Sequence, residues 1–248
     1  MSAAIKRLKF DRNKMRKTRI LLEDGRVRAA IPATVRLTLR DLRSMLRAHG
    51  MVYVKPNVGA LGNGVMRARR LKSGGYEWRY KRMKRKAPTV ARLYRLIKRY
   101  KLDGSYLVQR GIYMMKYRGR RFDLRVMTQR KHPYDRFVVT GMLARVAARG
   151  SIVTNGSKGA AIHPTGRVFR ANMPRAGARA IERKATLLGL RIAHRYAVVY
   201  PRCIELGLDI AVDNRRRLWL LEANTTPQIT PFGRLKDLTM YRRILAYR

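Results

Sequence analysis

The stretch from Glu205 to Pro227, Glu-Leu-Gly-Leu-Asp-Ile-Ala-Val-Asp-Asn-Arg-Arg-Arg-Leu-Trp-Leu-Leu-Glu-Ala-Asn-Thr-Thr-Pro, restricts what the chain can fold into more than any other. Only 14 of 248 residues are acidic, yet Glu205, Asp209, Asp213 and Glu222 all fall here. The pattern is that of a β-hairpin. Leu208 to Val212 alternates, Asp213-Asn214-Arg215 signals a turn, and Leu218 to Leu221 is an apolar return run. Antiparallel pairing then brings Asp209 and Glu222 together at the open end, with Asn224 two residues on and on the same face. Two carboxylates and an amide oxygen suit a hard cation such as Mg²⁺, with Mn²⁺ as a substitute, which takes oxygen ligands and shares them with a phosphate. Scarce acids in a hairpin can also simply offset nearby arginines. The polar Asn224-Thr225-Thr226-Pro227 segment after the apolar run favours the metal.

Composition bounds the rest. A hydrophobic content of 46% over 248 residues is enough for one large or two modest cores. No apolar run approaches the eighteen or so residues of a membrane span. Met1-Ser-Ala-Ala-Ile-Lys lacks the apolar centre of a secretory signal, so a cytoplasmic protein is expected. The single cysteine, Cys203, excludes an internal disulfide and a cysteine-based zinc site. The net charge of +45 makes a positive field that attracts polyanions, whether nucleic acid, an acidic polymer or an acidic substrate. Its even spread is equally that of a solvated basic surface.

Along the chain, a basic leader precedes a helical pattern ending at Leu22, closed by Glu23-Asp24-Gly25. Thr38 offers an N-cap for a helix with Leu39, Leu42, Met45 and Leu46 on one face, stopped by Gly50. Met51 to Pro56 is a buried-type strand carrying Lys55 at its end, followed by a loop with Gly59, Gly62 and Gly64 and a second strand over residues 65–70. A glycine loop joining strand to strand is not a P-loop, which opens a helix, but its N–H groups can wrap a phosphate and Lys55 is aimed towards it. Tyr76 to Tyr80 alternates as a strand, residues 81–86 read as an exposed basic run, and Thr89 caps a helix through Ile97. Tyr106 to Ile112 is a buried strand breaking at Gln109-Arg110-Gly111, where freed backbone groups can meet an adenine edge or simply end a strand. Phe122 to Val126 places Asp123 and Arg125 on one face; residues 136–145 form a long strand; Ser151 to Ala161, with Asn155, is a polar glycine loop suited to an anion. Pro174 opens a long helix reaching about Val199.

In this order Lys14, Lys55-Pro56 with its glycine loop, Gln109–Ile112, Asp123-x-Arg125, Asn155, Asp209, Glu222 and Asn224 resemble the ATP-grasp superfamily, and within it the YheC/YheD family of endospore coat-associated ATP-grasp proteins. The resemblance covers about residues 10–240. It implies an α+β fold of two lobes with ATP between them: residues 1–30 as basic leader and first helix, 31–110 as the glycine-loop lobe and 111–248 as the metal-binding lobe. Lys14, Lys55 and the glycines Gly59, Gly62 and Gly64 would meet the phosphates; Gln109, Arg110 and Ile112 the adenine; Asp209, Glu222 and Asn224 the Mg²⁺. Arg125 and Asn155 would lie beside the transferred phosphoryl group or the acyl substrate.

The activity so implied is that of a carboxylate–amine ligase, which activates a carboxylate as an acyl phosphate for attack by an amine or similar nucleophile. The carboxylate and nucleophile are unnamed, with an acidic peptide or polymer fitting the charge. Association with the spore is implied by the family. Two alternatives remain at this level: a non-enzymatic basic protein binding an anionic surface or nucleic acid, and a kinase-like transfer to a hydroxyl.

Overall fold

A computed structural model describes residues 13–154 and 159–248. The leader expected before residue 13, and Asn155, lie outside those residues.

Two antiparallel sheets carry the architecture. The first has the order β1 (Thr34–Arg36), β6 (Tyr106–Arg110), β2 (Met51–Pro56), β3 (Met66–Arg70), β4 (Tyr76–Tyr80), β5 (Met83–Ala87). One face carries Val52, Val54, Met66, Ala68 and Trp78, which pack under the helices α3 (Leu39–His49) and α4 (Val90–Tyr100) through Leu42, Leu46, Leu93 and Ile97. Both helices start as the sequence suggests: the Thr38 and Thr89 hydroxyls accept the N–H groups of Asp41 and Arg92, each satisfying an orphan donor of a first turn. Gly50 ends α3 at φ 70°, a left-handed conformation that glycine adopts without penalty. Because alternate residues point to opposite faces, Tyr53, Lys55, Arg67, Arg79 and Gln109 fall on the face away from these helices.

The second sheet has the order β10 (Ala161–Pro164), β9 (Val138–Val146), β8 (Arg120–Gln129), β11 (Glu205–Val212), β12 (Leu218–Asn224), with the short β7 (Lys116–Tyr117) against β8. The long α6 (Arg175–Val199) crosses it, burying Ile181, Ala185 and Ile192 against Val126, Leu208 and Ile210. Against α6 also lie α1 (Lys14–Leu22), α2 (Gly25–Arg28) and α5 (Thr165–Arg170), while α7 (Thr239–Leu245) covers β9.

The basic run expected to be merely exposed is the edge strand β5, whose Lys84, Arg85 and Lys86 remain exposed. Charged side chains are what blunts an open sheet edge, so a run without apolar alternation still makes a strand there. The helices α2, α5 and α7 are too short for periodicity to reveal. Among the described residues no helix is long and apolar enough to cross a membrane.

Candidate functional site

The hairpin of β11 and β12 pairs Asp209 directly with Glu222 and Gly207 with Asn224. A bulge follows Asp209, where the register shifts before Ile210, and re-aims the strand at the charged pair. Gly207 is required by space: a Cβ there would lie 2.5 Å from Pro227 Cβ and 2.6 Å from Arg125 Nη1.

β12 is the edge of its sheet, and groups from the first 110 residues occupy that edge. Leu220 N donates to Ala30 O (2.8 Å), Lys17 Nζ to Ala223 O (2.7 Å) and Lys55 Nζ to Leu221 O (3.2 Å). Lys55 thus bridges the two sheets, and it also donates to Gln109 Oε1 at 2.8 Å. Gln109 in turn donates to Thr34 Oγ1 at 3.0 Å, so its side chain positions Lys55. Burial pushes the Lys55 ammonium down to about 8, with Glu222 opposing that shift and Lys14 and Lys17 adding to it. Lys14 Nζ donates to Gly59 O at 2.5 Å and lies 3.3 Å from a Glu222 carboxylate oxygen, tying the glycine loop to the hairpin. Within that loop Gly64 sits at φ 73°, and a Cβ would be 2.5 Å from the Tyr106 hydroxyl.

On β8 and β9, beside the hairpin and facing the same cleft, lies a buried charge network. Arg145 grips Asp123 through two bonds of 2.8 and 2.6 Å and reaches Asp209 at 2.9 Å. Thr154 Oγ1 donates to Asp123 as well. Burial pushes the Asp123 carboxyl up from its ordinary value, against the pull of Arg145. Burial would lower Arg145, but Asp123 and Asp209 together hold it above the usual arginine range. Arg125 Nε lies 2.9 Å from Asp209 Oδ1 without hydrogen-bond alignment; both atoms are buried and without a hydrogen bond.

These groups surround a cleft of about 130 Å³ between the sheets. Lys55, Gly62, Gln109, Arg110, Ile112, Asp209 and Glu222 line it, so most of the residues expected at a nucleotide site stand together. Ile112 belongs to an apolar wall with Met114, Ala211, Trp219 and Leu221, suited to a flat ring. Arg110 is held there by its guanidinium over the Trp219 ring at 4.6 Å. Gly59 meets the site only through Lys14, and Gly64 lies outside the lining. Arg125 and Asn224 are also not in the lining: Arg125 is buried against Asp209, and Asn224 stands two pairs further along the hairpin. Asp123, Arg145, Lys17 and Thr34 were not among the expected site residues. For Asp123 the signal was present, since it is the one acidic side chain of β8.

Whether the acidic pair suits a divalent cation can be tested on the geometry. Asp209 Oδ1 is a buried carboxylate oxygen to which no donor is aligned, and the Glu222 side chain, 28% exposed, opens to the same cleft. Both are hard oxygen donors and both stand at one register position, which fits Mg²⁺ or Mn²⁺. Among the described residues no three His, Cys, Asp or Glu side chains gather as a self-sufficient metal site. A cation here would therefore share its coordination with phosphate oxygens.

The model of the YheC/D-like ATP-grasp family matches residues 9–248. The endospore coat-associated protein YheD of Bacillus subtilis (strain 168) is 23% identical over 221 residues, which are 87% of this chain and 48% of that protein. The chain thus spans about half the length of that curated relative. Among solved structures, the C-terminal domain of K. lactis Pby1, an ATP-grasp enzyme interacting with the mRNA decapping enzyme Dcp2, superposes with a TM-score of 0.56 at 14% identity, covering 94% of this chain and 69% of that one. D-alanyl-alanine synthetase A from Vibrio cholerae O1 biovar eltor gives 0.55 at 14% identity, covering 95% and 60%.

Proposed function

The chain belongs to the YheC/D-like ATP-grasp family, and from that premise we propose that it is an ATP- and Mg²⁺-dependent ligase that activates a carboxylate as an acyl phosphate for attack by an amine or similar nucleophile. The observation that carries this is the convergence of Lys55, Asp209 and Glu222 on one cleft between the two sheets. Residues 31–110 form the lobe over the nucleotide and residues 111–248 the lobe beneath it.

Each side chain has a definable task. The wall of Ile112, Met114 and Leu221 takes the adenine ring, with Arg110 beside it. Lys55 and Lys14 neutralise phosphate oxygens, and Gly62 and its neighbours let the loop backbone close over them. Asp209 and Glu222, with Asn224 next along the hairpin, would hold Mg²⁺; when bound, the cation supplies charge neutralisation as the bond to the γ-phosphorus is exchanged. A carboxylate oxygen attacks that phosphorus and ADP leaves. The nucleophile then attacks the acyl carbon, loses its proton, and inorganic phosphate leaves. Arg145, fixed by Asp123 and Asp209, orients the charge around the reacting groups.

The partners in this reading are ATP and an acidic acyl substrate, and the name of the Bacillus relative supports a place in the spore coat. One observation favours a second reading, a non-catalytic basic protein: Asp209 is already ion-paired with two arginines. Phosphorus NMR of reactions with ATP, Mg²⁺ and panels of amino acids and acidic peptides separates the classes. A ligase yields ADP and free inorganic phosphate only when a carboxylate substrate is present. A phosphoester signal means a kinase, and unchanged ATP in every mixture sinks catalysis.

A further inference from the structure

Beside the nucleotide cleft lies a second, larger groove of about 620 Å³. It shares Gly62, Val65, Ile152 and Val153 with the cleft, so the two are continuous. Arg79 of β4 with Lys81 and Arg82 of the β4–β5 turn form one wall and Arg149 after β9 another; among the described residues no acidic side chain lines it.

Behind Arg79 the positive charge is poorly compensated. Tyr53, Arg67 and Arg79 stand in one row across β2, β3 and β4 on the face turned from the helices. Glu77 is shared by Arg67 at 2.7 Å, Arg69 at 3.5 Å and Lys84 at 3.6 Å. The Nε atoms of Arg67, Arg69 and Arg79 are buried without a hydrogen-bond partner, and Arg67 is only 5% exposed. Burial, with Arg67, Arg79 and Arg69 nearby, holds Arg121 below its ordinary value despite Tyr53. Buried guanidinium groups without enough counter-charge are costly, and an anion in the adjoining groove offsets that cost.

We propose that this groove binds an acidic peptide segment whose carboxylates pair with Arg79, Arg82 and Arg149, and that it delivers one carboxylate to the nucleotide cleft; the delivery step rests on the ligase reading above. Guanidinium forks match carboxylates bidentately. A single-stranded nucleic acid would need exposed rings to stack on. The ring in the groove, Tyr80, is only 7% exposed and is packed against Trp78 and Tyr100.

The test is fluorescence anisotropy of labelled hexaglutamate with the full chain, in parallel with ATP titration. Arg82 and Arg149 are exposed, so the double variant Arg82→Ala, Arg149→Ala keeps the fold. It should weaken hexaglutamate binding roughly tenfold or more, the loss of charge-assisted contacts, while ATP affinity holds. The control Arg92→Ala, Arg95→Ala removes equal charge from exposed positions on α4 and should leave binding unchanged. Saturation with non-hydrolysable ATP and Mg²⁺ should leave hexaglutamate bound. The proposal is overturned by no hexaglutamate binding at low salt, by an equal loss in the control, or by competition with the nucleotide. Tighter, Arg82- and Arg149-dependent binding of an oligothymidylate of matched charge also overturns it, in favour of nucleic acid. If hexaglutamate binds as expected but ATP does not bind at all, the groove stands and the ligase reading falls.

Discussion

Asp209 and Glu222 are paired residue to residue across one hairpin, yet they are held by different cations. Asp209 lies 2.9 Å from both Arg125 and Arg145, whereas Glu222 meets Lys14 at 3.3 Å. The first carboxylate is braced by strands β8 and β9 of its own sheet and the second by helix α1. Lys14 is also bound to the glycine loop through Gly59 O, so one ammonium joins Glu222 to that loop.

ATP should bind tightly only with Mg²⁺ or Mn²⁺. Without a cation, Asp209 and Glu222 present carboxylate oxygens to phosphate oxygens, a like-charge contact. Titration calorimetry with and without a chelator checks this, and equal affinities would contradict the metal assignment.

Lys55 links affinity to pH. Its folded pKa of about 8 lies below the ordinary 10.5, so burial penalises the charged form. The penalty is complete below pH 8 and is relieved as pH rises from about 8 to 10.5, because the unfolded chain holds the proton longer; the gain is about 3 kcal/mol. Lys55→Met should abolish this rise in the pH profile of thermal stability. ATP affinity of the wild type should move the opposite way and fall above pH 8, since phosphate needs the ammonium. Lys55→Met should cost ~1.5–3 kcal/mol of ATP binding at pH 7. A flat stability difference between wild type and variant across pH 7–10 would place the ammonium in water.

These two assignments differ in how visible they were beforehand. The Asp209–Glu222 pairing was legible because the strand alternation and the turn signal at Asp213–Arg215 together set the register. The helices capped by Thr38 and Thr89 were legible for the same local reason. Side-chain destinations were not. The side chain of Gln109 lines the cleft but reaches Lys55 and Thr34, and that of Arg125 packs against Asp209 outside the lining. Both depend on contacts between segments far apart in sequence, which no local pattern encodes. Arg145 was overlooked because it reads as the end of an apolar strand, while its partner Asp123 lies 22 residues away.

The Asp123–Arg145 pair should be structural as well as electrostatic. Arg145→Met leaves Asp123 buried without its bidentate partner, and breaking such a pair costs about 3–5 kcal/mol. The double variant Asp123→Asn, Arg145→Met should recover much of that loss, because neither charge is stranded. Urea denaturation of both variants against wild type measures it. A loss below about 1 kcal/mol for Arg145→Met would mean that water reaches the pair.

The most direct measurement of the central claim is hydroxylamine trapping in the presence of ATP, Mg²⁺ and an acidic peptide, for wild type and Glu222→Gln. Glutamine keeps the size of Glu222 and removes its charge, so folding by circular dichroism should be preserved. Wild type should yield a hydroxamate together with stoichiometric ADP and phosphate, and Glu222→Gln should lose most of that yield. A phosphorylated hydroxyl product without hydroxamate, or a hydroxamate yield independent of Glu222, would contradict it.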